Sequence, residues 1–258
     1  MTMSSVKVLV LRAPGTNCDN ETAFAFEQAG AMCELHHINR LIRHEVKVND
    51  YQIMAIPGGF SYGDDIAAGK IQANEMKARL GDDIQHFIEN GGLMLGICNG
   101  FQMMAKAGWL SRPARSGLPA FTLTNNDSGR FECRWIHMIV NSKSNCVFTR
   151  GIERLYLPIA HGEGKVVAEP DELAKLNVAL RYCNEKGETV ATYPDNPNGS
   201  MDNIAGIADD TGRIFALMPH PERHITGTQN PMWTRNGISE VGDGLPIFSN
   251  AVKWVKGS

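Results

Sequence analysis

No apolar run in this sequence approaches the roughly 18 residues that would span a bilayer, which excludes a membrane-embedded chain. Positive charge is also short. With 25 Lys and Arg against 28 Asp and Glu the net charge is −3, so no basic field exists to hold a phosphate backbone, and nucleic acid is not an expected partner. The six cysteines (Cys18, Cys33, Cys98, Cys133, Cys146 and Cys183) are scattered. None pairs at the C-x-x-C spacing of a zinc or thioredoxin-like site, which fits a reducing compartment. The opening residues lack the basic start, apolar stretch and small-residue cleavage site of a signal peptide, so the expected location is cytoplasmic. Repeats, a clear linker and the Gly-x-x-x-x-Gly-Lys-Ser/Thr phosphate loop are missing too.

What remains is an ordinary globular composition, 43% apolar and 21% charged, which argues against disorder. At about 150 residues per domain, 258 residues lie between one and two domains. Strand-like runs at 6–11, 33–38, 52–56 and 93–97 alternate with helical patterns at 19–28, 71–89 and 100–106. That rhythm predicts an α/β fold, a central mostly parallel sheet with helices on both faces. Beyond Gly108 it changes. Strands are expected at 121–124, 131–140, 178–183 and 189–193, and a hairpin joins 204–208 to 213–218 through Asp209-Asp210-Thr211-Gly212. The second half should therefore hold antiparallel strands, with a closing helix near 246–255. The polar stretch 193–200 reads as loop.

Three motifs carry chemistry. Gly96-Ile97-Cys98-Asn99-Gly100, directly after a strand and before a helix, has the form of a nucleophile elbow: the glycines admit a sharp turn. The turn places the Cys98 sulfur at a helix amino terminus, where free N–H groups favour negative charge. Met218-Pro219-His220-Pro221-Glu222 supplies a base: the prolines keep this segment out of helix, and residues two apart in extended chain share a side, so Glu222 can orient His220. Pro57-Gly58-Gly59 follows another strand, where open α/β sheets put their ligand crevices. The two glycines let the backbone turn an N–H toward an oxyanion, and the Asn99 N–H that follows the nucleophile can be the second donor.

In order and spacing, Pro-Gly-Gly at 57–59, Gly-Ile-Cys-Asn-Gly-Phe-Gln at 96–102 and His-Pro-Glu at 220–222 resemble the glutaminase domain of class I glutamine amidotransferases. The likeness covers almost the whole chain. Within that family, 57–65, Asn99, Ser128-Gly129-Arg130-Phe131-Glu132 and Ala160-His161-Gly162-Glu163-Gly164 look like the branch serving phosphoribosylformylglycinamidine synthase in purine biosynthesis. The resemblance implies a flavodoxin-like, three-layer class I glutaminase fold in one domain, 1–258. It implies a Cys98, His220 and Glu222 triad, an oxyanion hole from Gly59 and Asn99, and glutamine as substrate. Gly58, Phe60, Ser61, Gln102 and His161 become candidate substrate contacts. It also implies that ammonia passes to a separate synthetase large subunit, with a small third subunit in attendance. No cofactor is expected in this chain; ATP and magnesium are expected on the synthetase.

Other residues invite plainer readings. His36, His37 and Cys33 suggest a metal, but neighbours on a strand point to opposite faces, so none is expected. Cys133, Trp135 and His137 should mark one face of a strand. Asp64 and Asp65 either pair with the partner or solvate a loop. Three rivals remain at this stage: a glutaminase subunit of another amidotransferase, a stand-alone cysteine hydrolase of related fold, and a binding module that has lost its chemistry.

Overall fold

Four consecutive apolar residues, Val8 to Leu11, need cover on both faces, and strand β1 (Lys7–Arg12) receives it: all four are buried. The computed structural model describes residues 5–64, 67–114 and 117–257. Helix α1 (Asp19–Gln28) leads to β2 (Met32–His37) and the short α2 (Ile38–Ile42). Then come β3 (Ile53–Ile56), the long α3 (Lys70–Glu89), β4 (Leu93–Ile97) and α4 (Asn99–Ala107). Strands β5 (Phe121–Asn125), β6 (Glu132–Val140), β7 (Arg154–His161) and β8 (Glu163–Ala168) follow. After the single turn α5 (Pro170–Leu173) come β9 (Asn177–Cys183), β10 (Ile204–Ala208) and β11 (Ile214–Leu217). The turn α6 (Trp233–Asn236) and helix α7 (Leu245–Lys256) close the chain.

The main sheet runs β2-β1-β3-β4-β11-β10-β9-β6-β7. From β2 to β11 neighbours are parallel; from β11 to β7 they are antiparallel. Chain order reverses between β1 and β3: β1 passes through α1 to one side, and β3 passes through α3 to the other. Right-handed crossovers then place α1 and α3 on opposite faces, giving the expected three layers. Phe248 of α7 meets Phe26 of α1 edge-on at 4.9 Å. On the other side α3 packs against α4, and a two-stranded ribbon, β5 with β8, lies over α4 through Phe121 and Phe101. The loops at the carboxyl ends of β1 and β3 diverge at this reversal, which makes the crevice that open α/β sheets use for ligands.

The structure departs from the expected strands in two places. Residues 189–193 form no strand: Thr189, Ala191, Thr192 and Tyr193 are exposed, so β-branched side chains there have no face to bury. Conversely β7 and β8 were not expected. β7 alternates cleanly, burying Leu155, Leu157 and Ile159, although Pro158 interrupts it. The proline is tolerated because β7 is the last strand of the sheet and has a free edge. On β6, Trp135 and His137 share a face, both ringed against Tyr156. His36 is occupied by Glu34 and the Tyr51 hydroxyl, each at 3.0 Å. All six cysteines are free thiols. Among the described residues no helix is long and apolar enough to cross a membrane.

Candidate active site

The turn from β4 to α4 is sharp and strained. Cys98 adopts φ 51° and ψ −103°, a conformation L residues avoid. Its N–H is held by the Leu217 carbonyl at 2.8 Å. The turn needs its flanking glycine: a Cβ on Gly100 would stand 2.0 Å from the Ile56 carbonyl oxygen of β3. The elbow is thus built into the chain. It places Cys98, 5% exposed, at the first turn of α4, with its sulfur facing the Ala160 carbonyl at 3.7 Å.

His220 reaches the same place from β11, the strand beside β4. The free edge of β7 fixes its backbone: the His220 N–H donates to Pro158 O at 2.9 Å, and four residues on His224 Nδ1 bonds Tyr156 O at 2.8 Å. Pro221–Arg223 then forms one 3-10 turn that brings Glu222 Oε1 to 2.7 Å from His220 Nδ1. Both side chains are shut away from water. Burial alone would strip the proton from His220. The Glu222 carboxylate, followed by the Cys98 sulfur, outweighs it and holds the pKa well above the ordinary imidazole value. The ring is therefore held in its charged form between Glu222 and the Cys98 sulfur.

Gly59 lies between these groups and the amino-terminal loop. The Gly58 carbonyl accepts from the N–H groups of both Asn17 and Cys18 at 3.2 Å. In a trans peptide the following N–H points the opposite way, so this clamp fixes the Gly59 N–H on the other side of the peptide plane. The N–H groups of Gly59 and Asn99 have no acceptor among the described residues. No other residue fits at 59: φ is +149°, and a Cβ would lie 2.5 Å from the Gly15 oxygen.

A cleft of about 270 Å³ opens beside Cys98, lined by Gly59, Phe60, Gln102, His161, Phe131 and Glu163 among others. Phe60 and Phe131, each half exposed, stack across it at 6.3 Å. Two of the expected contacts stand behind its wall instead. Gly58 is packed against His220, Cys18 and Cys98, and Ser61, 3% exposed, spends its N–H on Asn99 Oδ1. Both are turned away because the glycine pair bends sharply at Gly59. Asp64 does not solvate a loop: it accepts from Asn99 Nδ2 at 3.1 Å and from the Gly69 N–H at 3.1 Å. Burial raises its pKa. Asp65 lies outside the described residues. Gln102 completes this network, accepting from Asn99 Nδ2 at 2.9 Å and donating to Glu163 O.

His161 ends β7 rather than sitting in a loop, and its tautomer is determined by a residue that sequence reasoning missed. Asn126 Nδ2 donates to the carbonyls of Arg130 and His161, so its Oδ1 is the acceptor that meets His161 Nδ1 at 3.1 Å. Nδ1 carries the proton, and Nε2 is a bare acceptor without a partner among the described residues. Burial, then the charge on His220, pushes the His161 pKa down to about 3. The folded state resists protonation here while the unfolded chain, near 6.5, accepts it. Stability from this group is thus complete above about pH 6.5 and is lost as pH falls towards 3. In urea unfolding, the stability difference between pH 7.5 and 4.5 should shrink by about 2–3 kcal/mol in His161→Asn. An unchanged difference would mean that His161 does not titrate on unfolding.

The likeness to known proteins agrees with this geometry. A family model described as the CobB/CobQ-like glutamine amidotransferase domain matches residues 5–255. The phosphoribosylformylglycinamidine synthase subunit PurQ of Dehalococcoides mccartyi is 55% identical over 98% of this chain and 99% of its own. The protein of the same name from Methanococcus maripaludis is 45% identical over 96% and 97%. Among solved structures, that of PurLQS from Thermotoga maritima aligns with a TM-score of 0.75 at 31% identity, covering 97% of this chain and 99% of that one. The chain belongs to the CobB/CobQ-like glutamine amidotransferase family, in the branch of the phosphoribosylformylglycinamidine synthase subunits.

Proposed function

We propose that this chain hydrolyses glutamine and delivers the ammonia to a separate ATP-dependent synthetase, which converts formylglycinamide ribonucleotide to formylglycinamidine ribonucleotide. The whole chain, 1–258, serves as one glutaminase domain in this reading. The observation that carries it is the meeting of Cys98, His220 and Glu222 at the carboxyl edge of the sheet, beside two backbone N–H groups without an acceptor among the described residues.

The chemistry follows from those positions. The Cys98 sulfur attacks the side-chain carbonyl carbon of glutamine, and the carbonyl electron pair moves onto oxygen, where the Gly59 and Asn99 N–H groups receive it. Each such donor contributes about 3–4 kcal/mol to lowering the barrier. As the C–N bond breaks, His220 gives its proton to the departing nitrogen, leaving ammonia and a γ-glutamyl thioester. Neutral His220 then takes a proton from water, which attacks the thioester and returns Cys98 with glutamate. Glu222 keeps Nδ1 engaged throughout, so Nε2 handles the proton. Phe60, Gln102 and His161 border the space for the glutamine side chain.

The partners follow from the same reading: a synthetase large subunit, which carries ATP and magnesium, and a small third subunit. The name PurLQS belongs to the Thermotoga maritima protein and supports an assembly of this kind. A cytoplasmic location suits a biosynthetic enzyme of this branch. The test is isotopic. With amide-¹⁵N glutamine, ATP, magnesium, formylglycinamide ribonucleotide and the synthetase, the label should appear in formylglycinamidine ribonucleotide as glutamate accumulates. Glutamate formation with no labelled product would instead favour a stand-alone hydrolase.

A further inference from the structure

A second cysteine stands inside the site. Cys18, 1% exposed, caps α1, and one potential donor atom from each of Cys18, His220 and Glu222 lies within 4.8 Å of the others. The space at Gly58 shows how closely they converge: a Cβ there would lie 2.9 Å from His220 Cε1, 3.3 Å from Cys18 Sγ and 3.5 Å from Cys98 Cβ. Arg223 Nη2 donates to Cys18 Sγ at 3.0 Å, and the thiol donates to Asn17 Oδ1 at 3.1 Å. The N–H of the same residue clamps the Gly58 carbonyl. Cys18 therefore holds the oxyanion peptide through its backbone and sets its sulfur within 4.8 Å of a ring nitrogen of the base.

On the reading of the site as a glutaminase, we propose that Cys18 is a positioning residue, whose sulfur, held by Arg223, supports the His220 imidazolium in its catalytic orientation. The thiol is suited to this because it stays neutral. Burial, the largest influence on it, pushes its pKa up, so it does not compete with Cys98 as nucleophile. A neutral, polarisable sulfur between the Arg223 guanidinium and His220 offers lone pairs to both cations. The ionisable groups around His220 are Cys18 before α1, Cys98 before α4, Glu222 and Arg223 on its own turn, and His161 at the end of β7. Glu21 of α1 lies 3.8 Å from Arg223 Nε. Of these, Glu222 first, then Cys98 and Cys18, favour the charged form of the ring.

The test compares Cys18→Ala, Cys18→Val and Cys18→Ser in the complex with the synthetase. Valine fills the space without accepting a hydrogen bond; serine keeps an acceptor. We expect kcat to fall about 10- to 100-fold in the alanine and valine variants, with KM for glutamine nearly unchanged, as for a misplaced catalytic group. The alkaline limb of their kcat/KM profile should move to lower pH, because His220 loses a group that favours its proton. Serine should recover most of the kcat. Arg223→Lys should lower kcat in the wild type and add little on top of Cys18→Ala, since both act on one contact. Unmoved pH profiles in folded Cys18→Val, or additive effects with Arg223→Lys, would overturn the proposal. If the wild-type complex itself fails to hydrolyse glutamine, the glutaminase reading fails instead.

Discussion

Cys98→Ala should abolish glutamine hydrolysis, lowering kcat by at least about 10⁴-fold, while the assembled enzyme still uses free ammonia. A nucleophile that forms the covalent intermediate has no substitute, and losses of this size follow removal of such a residue elsewhere. Cys18 cannot replace it. Its thiol is held in its protonated form by burial and is engaged by Arg223 and Asn17. The fold should survive the change. The strained backbone at 98 is maintained by the Leu217 carbonyl and the close approach at Gly100, neither of which involves the sulfur. Among the described residues the one side-chain hydrogen bond lost is the weak one to Ala160 O at 3.7 Å. Urea unfolding of the variant should match the wild type to within about 1 kcal/mol. Glutaminase turnover surviving in Cys98→Ala would remove the thioester from the mechanism.

Glu222→Gln keeps shape and removes charge, and the expected loss in kcat is about 10²- to 10⁴-fold. Two opposed influences on His220 decide this. Burial favours the neutral ring, and the carboxylate at 2.7 Å favours the cation and wins. Without the carboxylate, burial wins, and His220 gives up its proton at lower pH. It then has no proton for the departing nitrogen, and Nδ1 is no longer held in one tautomer. The alkaline limb of kcat/KM should move to lower pH. Stability provides a separate check. In the wild type the folded pKa of His220 is raised, so this pair's contribution is fully present below the unfolded value of about 6.5 and is lost as pH rises through the folded one. The variant lacks that contribution. Its deficit relative to wild type, measured by urea unfolding, should be larger at pH 6 than at pH 9. A constant deficit would mean that Glu222 does not set the charge on His220.

The parallel half of the fold was legible because β1, β3 and β4 are continuous apolar runs separated by helical patterns; α1 occupies 19–28 as expected. The elbow was legible for a different reason: glycine at 96 and 100 around Cys98 answers a steric demand that the Ile56 carbonyl makes concrete. What escaped was non-local. Strand β7 alternates, but Pro158 hides it, and only the sheet order reveals that this is the free edge to which the His220 segment is pinned. The stretch 193–200 is loop as expected, yet Asn196, Asn198 and Ser200 within it are buried. Asn198 donates to Gly164 O and to the Tyr182 hydroxyl, bracing the turn after His161. Buried asparagines of this kind carry no periodic signal. Asn126, Cys18 and Arg223 escaped likewise, since their roles depend on partners 35, 202 or 205 positions away.

The most direct measurement is to treat the assembled enzyme with a chloroketone analogue of glutamine, map the modified peptide by mass spectrometry and assay amination with both nitrogen sources. The account predicts a single label on Cys98, loss of glutamine-dependent amination and full retention of ammonia-dependent amination. A label on Cys18 in place of Cys98, or glutamine-dependent turnover that persists after Cys98 is fully modified, would contradict it.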